Sequence, residues 1–287
     1  MRKESVAYDR SMSANVNSLG LIAGNRSLPL MVASGARAAG VQRIVVAAFE
    51  NETDPALAQQ ADTIRWFKVG QLSALIDFFR DNGVRQCVMA GQIAPKRLWD
   101  LRPDLRAAKL LLRLKEKNAH SLFGGIAEEL SKDGIDLVPA MPWLSGHMPS
   151  REYRLGPKPD ADLLSDIEFG FRMAKEVSRL EIGQLVVVKG GTVLAVEGFE
   201  GTDACLQRGG TLAGEKGGAV AVKVAKRNHD LRFDIPCIGA TTLQTCANHG
   251  IRALAIEAGR TVLMDAAEVR TIAERNRLSL VGWSGDL

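Results

Sequence analysis

Charged residues crowd one stretch of this 287-residue chain, between Ala195 and Gly239. There Glu197, Glu200, Asp203, Arg208, Lys223, Lys226, Asp230, Arg232 and Asp234 stand among glycines and short apolar runs. Charges so close to predicted strand ends are costly to bury unless paired or used. Acids can hold a divalent cation or orient water, and bases can balance phosphate charge. The stretch therefore predicts a polar site for a phosphorylated substrate and a divalent cation, Mg²⁺ or Mn²⁺. In Glu200-Gly-Thr-Asp203 the glycine bends a strand exit, Thr202 is expected to cap the next helix, and Asp203 enters its first turn. Two carboxylates would then face one point. Asp230, Arg232 and Asp234 recur with period two, which on an extended strand places all three on one face. Gly239 and Thr241 open a helix whose N-terminus can accept another phosphate oxygen.

Two glycine turns add candidates nearer the start. Gly20-Leu-Ile-Ala-Gly24-Asn-Arg26 reads as strand, turn and helix start, a place where backbone N–H groups and the helix dipole meet an anion. Ala90-Gly91-Gln92 repeats that pattern at a later strand end. Gly24, Asn25, Arg26, Gly91 and Gln92 are thus candidate ligand contacts, against the plainer reading of tight turns that need glycine for geometry alone. Glu50 after the second strand would suit a ribose, but Ala23 and Asn25 break the G-x-G-x-x-G spacing, so a nicotinamide site is a minor alternative. No G-x-S-x-G, H-E-x-x-H or G-K-[ST] motif occurs, which argues against serine-triad, zincin and P-loop chemistry. His120, His147, His229 and His249 lack metal-pair spacing, and His249 reads as a helix-end residue. Cys87, Cys205, Cys237 and Cys246 show no C-x-x-C spacing and read as buried thiols of a reducing cytoplasm.

The elements that must position these residues alternate. Strands are expected at Ser18–Ile22, Arg43–Ala48, Thr63–Phe67 and Arg85–Ala90, with helices between them. The pattern predicts a Rossmann-like parallel sheet over residues 18–150, preceded by a disordered extension over 1–17. A Pro/Gly-rich junction covers Pro142 to Pro159. Beyond it a long helix ending at Arg179, a Leu185–Lys189/Thr192–Glu197 hairpin around Gly190-Gly191, and further strands and helices predict a mixed α/β domain over 151–287, carrying the main acidic site. A net charge of +4 gives no case for nucleic acid. Between Lys96 and Lys117 eight bases face three acids. Arg106, Lys109, Arg113 and Lys117 follow helical spacing there, as they would on a helix resting on an anionic bilayer or on a solvated core helix. No apolar run reaches the roughly 18 residues of a membrane span, and the polar start is not a secretion signal.

In their order, several motifs resemble the LpxI-type UDP-2,3-diacylglucosamine pyrophosphatases of lipid A synthesis. They are Gly20-Leu-Ile-Ala-Gly24 with Leu28-Pro29, Met89-Ala-Gly91, Glu181-Ile-Gly-Gln184 and Val193-Leu-Ala-Val-Glu197. Glu200-Gly-Thr-Asp-Ala204 with Arg208 follows, then Lys226-x-x-x-Asp230-x-Arg-x-Asp234-x-Pro-x-Ile-Gly239 with Thr242. The resemblance implies hydrolysis to UMP and 2,3-diacylglucosamine 1-phosphate (lipid X), a divalent cation, a site between two α/β domains, and an essential Asp234. Asp203 and Glu200 would assist, Asp203 and Asp234 holding the metal. Glu197, Thr202, Arg208, Lys223, Lys226, Asp230, Arg232 and Thr242 would bind the lipid-linked UDP-sugar. The thiols point to a cytoplasmic protein and the basic helix to peripheral contact with the inner membrane, and a homodimer is a further expectation. Asn118-Ala119-His120 stands where the family has Gly-Asp-Asp, so the alternative is an inactive or altered relative that binds lipid or nucleotide sugar.

Overall fold

The computed structural model describes residues 16–93, 103–114, 119–226, 230–233 and 235–285. The chain divides into two compact units. The first comprises Met1–Gly146 with Asp230–Asp234, the second His147–His229 with Ile235–Leu287. The expected N-terminal extension through residue 15, the bases from Lys96 to Arg102, Lys115 to Asn118, Arg227 to His229 and Asp234 lie outside the described residues.

Unit 1 is built on a parallel sheet. Its strands β1 (Ser18–Ala23), β2 (Arg43–Phe49), β3 (Thr63–Phe67), β4 (Gln86–Ala90) and β5 (Asp136–Leu137) lie in the order β3-β2-β1-β4-β5. Helix α1 (Leu28–Ala38) starts with Pro29 in its first turn and buries Leu28, Val32, Ala33 and Ala36. Proline is tolerated there because its missing N–H has no helical partner in any case. On one face of the sheet, Val45, Ala47, Phe49, Cys87 and Met89 join Leu75, Ile76 and Phe79 of α2 (Leu72–Asp81). Ala107 and Leu110 of α3 (Leu105–Arg113) and Ala127 and Leu130 of α4 (Ala119–Lys132) complete that core. Because β1 leads to β2 on one side while β4 lies on its other side, the carboxyl ends of β1 and β4 form the switch point where open α/β sheets bind ligands.

Unit 2 holds a mixed sheet. Its strands are β6 (Arg154–Leu155), β7 (Leu185–Lys189), β8 (Thr192–Val196), β9 (Ala219–Lys223), β11 (Ile251–Glu257) and β13 (Ser279–Trp283), in the order β6-β13-β11-β9-β7-β8. β9, β11 and β13 run parallel, whereas β6, β7 and β8 are antiparallel to their neighbours. A separate parallel pair joins β10 (Cys237–Ile238) to β12 (Val262–Leu263). Successive residues of the apolar strands point to opposite faces. Val186, Val188, Val220, Val222, Ala253 and Ala255 meet Ile167, Phe171 and Ala174 of α5 (Ala161–Arg179), which Asp160 caps through the Leu163 N–H (2.9 Å). Val187, Ala221, Leu254 and Leu280 meet α6 (Thr202–Leu212), α7 (Ala240–Asn248) and α8 (Ala266–Arg275) on the other face. The expected hairpin turn is present: Gly190 and Gly191 have φ of 55° and 70°. Their N–H groups donate to the Asp166 carboxylate at 2.8 Å each. The Pro/Gly-rich stretch is more ordered than a linker, with a 3₁₀ turn over Met141–His147 and β6 paired to β13.

Candidate functional site

At the switch point of unit 1 the structure brings Gly24, Asn25, Arg26, Gly91 and Gln92 together. The Gly24 N–H donates to Ala90 O at 2.7 Å and the Asn25 N–H to Gln92 O at 2.8 Å. A Cβ on Gly24 would stand 2.4 Å from Gln92 O, and one on Gly91, whose φ is +83°, 2.4 Å from Asn25 O. Both glycines are therefore required by the interlock of two turns. Contrary to expectation, the Gly24 and Asn25 N–H groups are spent on carbonyls and are not turned to an anion. A ligand here would meet the exposed side chains of Arg26 and Gln92. It would also meet Asn25, whose Nδ2 donates to Glu52 (2.9 Å) and whose Oδ1 is buried without a partner.

The second cluster lies in unit 2, where β7 begins and β8 and β9 end. Lys223, the last residue of β9, is buried, and its Nζ donates to Thr202 Oγ1 at 2.9 Å. That hydroxyl donates in turn to Glu197 Oε1 at 2.7 Å, while Glu197 Oε2 accepts the Gln184 N–H at 3.1 Å. The loop through Gly183 passes so close that a Cβ there would lie 2.0 Å from Glu197 O. Thr202 thus links a buried ammonium to a buried carboxylate. It is not the helix cap the sequence predicts. Gly201, at φ +83°, holds the cap position, and no side chain caps the helix.

Glu200 and Asp203 do not share one partner. Arg208 donates to Glu200 Oε1 and to Val196 O (2.8 Å), and Gly198 N–H donates to Glu200 Oε2 (3.0 Å). The Arg208 guanidinium holds the Glu200 carboxyl below the usual carboxylate range. Asp203 sits in the first turn of α6, and its Oδ1 is buried without a hydrogen-bond partner. Its charge, added to the larger effect of burial, pushes the Cys246 thiol up. Thr242 is buried in the first turn of α7, and Gly239 precedes that helix. Lys226 is half-buried.

The Asp230–Asp234 segment departs most from expectation. Residues 231–233 form a turn, not a strand, so the period-two alignment of a strand does not apply to Asp230 and Arg232. Arg232 folds back on Asp230, with Nε at 2.8 Å from Oδ1 and Nη2 at 2.5 Å from Oδ2. This bidentate pair raises the pKa of the guanidinium further. Phe233 packs on Phe123 of α4 with ring centroids 5.6 Å apart, and the segment belongs to unit 1.

Two features escaped sequence reasoning. The first is an ion pair: Lys175 Nζ lies 2.7 and 2.8 Å from the two oxygens of Glu257, the last residue of β11. Glu257 also accepts the Ala225 N–H at 2.8 Å, so the pair pins the chain just beyond β9. A lysine on the helix face otherwise carrying Phe171 and Ala174 was the available signal. The second is an apolar cavity of about 140 Å³ in unit 1, lined among others by Ile22, Met89, Leu110, Leu122 and Phe123. Its residues come from strand ends and three helices, and no single sequence period gathers them.

Among the described residues no three His, Cys, Asp or Glu side chains gather into a metal-holding group. A magnesium ion in a phosphate site usually takes one or two carboxylates and leaves its other positions to water and phosphate oxygens. The unpartnered Asp203 Oδ1 fits that role, whereas Glu200 is engaged by Arg208.

Together these features define a two-unit α/β protein with polar clusters at strand ends and a hydrocarbon-lined cavity. The model of the LpxI N-terminal domain matches residues 18–147, and that of the LpxI C-terminal domain matches residues 153–281. The chain is 32% identical over 276 residues to the UDP-2,3-diacylglucosamine pyrophosphatase LpxI of Caulobacter vibrioides, covering 92% of this chain and 96% of that one. The chain belongs to the LpxI family.

Proposed function

We propose that this protein hydrolyses the diphosphate of UDP-2,3-diacylglucosamine, giving UMP and 2,3-diacylglucosamine 1-phosphate. The observation that carries this reading is the buried Lys223–Thr202–Glu197 chain, which lies within the residues that the LpxI C-terminal domain model matches. A buried ammonium whose hydrogen-bond partner among the described residues is a hydroxyl suits an anionic ligand, because an uncompensated buried charge is costly. Lys223 and Lys226 would hold diphosphate oxygens, with Arg208 of the same unit lending positive charge. A bound Mg²⁺ or Mn²⁺ would supply charge neutralisation at the diphosphate, and Asp203, whose Oδ1 has no hydrogen-bond partner, is the described carboxylate that would hold it. Asp234 would take the proton of the attacking water. The apolar cavity of unit 1 would take hydrocarbon of the substrate.

The test is UMP release from UDP-2,3-diacylglucosamine with Mg²⁺, with Mn²⁺ and with chelator. Metal-dependent release is expected, and Asp234→Ala should lower it by roughly 10²–10⁴-fold with an unchanged melting temperature. Normal turnover in folded Asp234→Ala would remove that residue from the chemistry. Asn118-Ala119-His120 supports a second reading, a relative that binds without cleaving. Tight substrate binding with no UMP under any metal would select it.

A further inference from the structure

Helix α3 has two faces of different character. Inward, Ala107 and Leu110 are buried, and with Leu111 they line the apolar cavity. Outward, Leu105 and Leu112 stand 80% and 86% exposed. They are seven residues apart, two turns along one stripe, and the exposed Lys109 lies between them. A single exposed leucine is ordinary. A pair this open on one stripe, with a cation between, is the pattern of a helix lying in a headgroup layer.

The charges around it agree. The helix carries Arg106, Lys109 and Arg113 and no acid. The nearby acids of α4 and its exit are already engaged: Glu129 and Asp133 by Arg106, Glu129 also by Lys132, and Glu128 by Arg113. The sequence from Lys96 to Lys117 holds eight bases against three acids. Arg106 and Arg113 spend their charge on those acids, so among the described residues of the helix Lys109 is the cation left to meet an anionic surface, and the excess in the sequence has the same sign.

We propose that the outer face of α3 docks on an anionic lipid bilayer, with Leu105 and Leu112 inserted among the headgroups and Lys109 paired with lipid charge. The helix that touches the membrane is then also a wall of the cavity, so hydrocarbon outside and inside is separated by one helix. This gives the acyl-substrate reading a route of supply and rests on that reading for its purpose, but the docking itself is measured without substrate.

The experiment is co-sedimentation of the full chain with vesicles of phosphatidylglycerol and phosphatidylethanolamine, against pure phosphatidylcholine. Wild type is expected on the anionic vesicles only, and to leave them in about 0.5 M salt. L105E/L112E should weaken that binding by at least roughly tenfold, and K109E by a smaller factor. L105E/L112E should keep its melting temperature and its turnover of detergent-dispersed substrate while losing turnover of vesicle-borne substrate. Wild type that ignores anionic vesicles, or binding untouched by L105E/L112E, overturns the proposal. So does a lipid-free dimer that L105E/L112E converts to monomer, because the face would then be covered by a second copy. Absence of turnover in both presentations with vesicle binding intact would refute the pyrophosphatase reading and leave the docking standing.

Discussion

Lys223, Thr202 and Glu197 act as a unit because Thr202 Oγ1 donates to the carboxylate and accepts from the ammonium. A hydroxyl has one proton and two lone pairs, so both bonds are made at once. Removing the hydroxyl leaves a buried ammonium and a buried carboxylate each short of a partner. Thr202→Val keeps the shape and is expected to cost about 1–3 kcal/mol of stability, read as a lower melting temperature. A bound diphosphate analogue should recover part of that loss, because binding to the folded state stabilises it. Lys223→Met removes the charge with most of the volume. It should reduce UMP release by about 10²-fold or more if it stabilises charge on the diphosphate. A folded Lys223→Met enzyme with normal kcat and KM would take Lys223 out of the phosphate site.

Among the elements, those with a strong period were legible and the pairings between them were not. The apolar runs of β2, β7 and β9 and the glycine at each turn announced the strands. The two-residue strands β6 and β10 are too short to show any period. The charged candidates were found, but their partners were not. Arg208 reaches Glu200 across 8 positions of sequence and Lys175 reaches Glu257 across 82. Such pairings are decided by packing. The α3–α4 contact is a measurable case. Lys132 and Arg106 hold the buried Glu129 carboxyl below its usual range. A folded-state pKa below the unfolded one adds stability that is present above pH about 4.5 and is lost as pH falls through the folded value. Wild type should therefore melt above Glu129→Gln at pH 7, by the equivalent of about 1 kcal/mol. The gap should close as the pH is lowered toward about 3. A gap that is constant with pH would mean that Glu129 contributes shape and not charge.

At the scale of the whole molecule, the chain does not finish one unit before starting the other. It enters unit 2 at His147, yet Asp230–Asp234 is grouped with unit 1 before the chain resumes unit 2 at Ile235. Contacts among the described residues flank this excursion. The Lys175–Glu257 pair grips Ala225 on the unit 2 side, and Phe233 packs with Phe123 on the unit 1 side. The segment between them contains Asp230, Arg232 and Asp234, the charged run that sequence alone placed within the second domain. Its aromatic anchor then matters more for placement than for overall stability. Phe233→Ser gives up about 1–3 kcal/mol of apolar burial at that anchor while leaving both cores intact. Limited proteolysis should then cut between Ala225 and Ile235 faster than in wild type, and, if Asp234 is the reacting group proposed above, UMP release should fall at least roughly tenfold, because misplacing a reacting group by an ångström already costs about 10²-fold. The melting temperature should fall by a few degrees, about 2–4 °C for each kcal/mol lost. Phe233→Leu restores an apolar contact and should recover most of both properties. Unchanged cleavage and unchanged turnover in Phe233→Ser would show that the aromatic contact does not place the charged run.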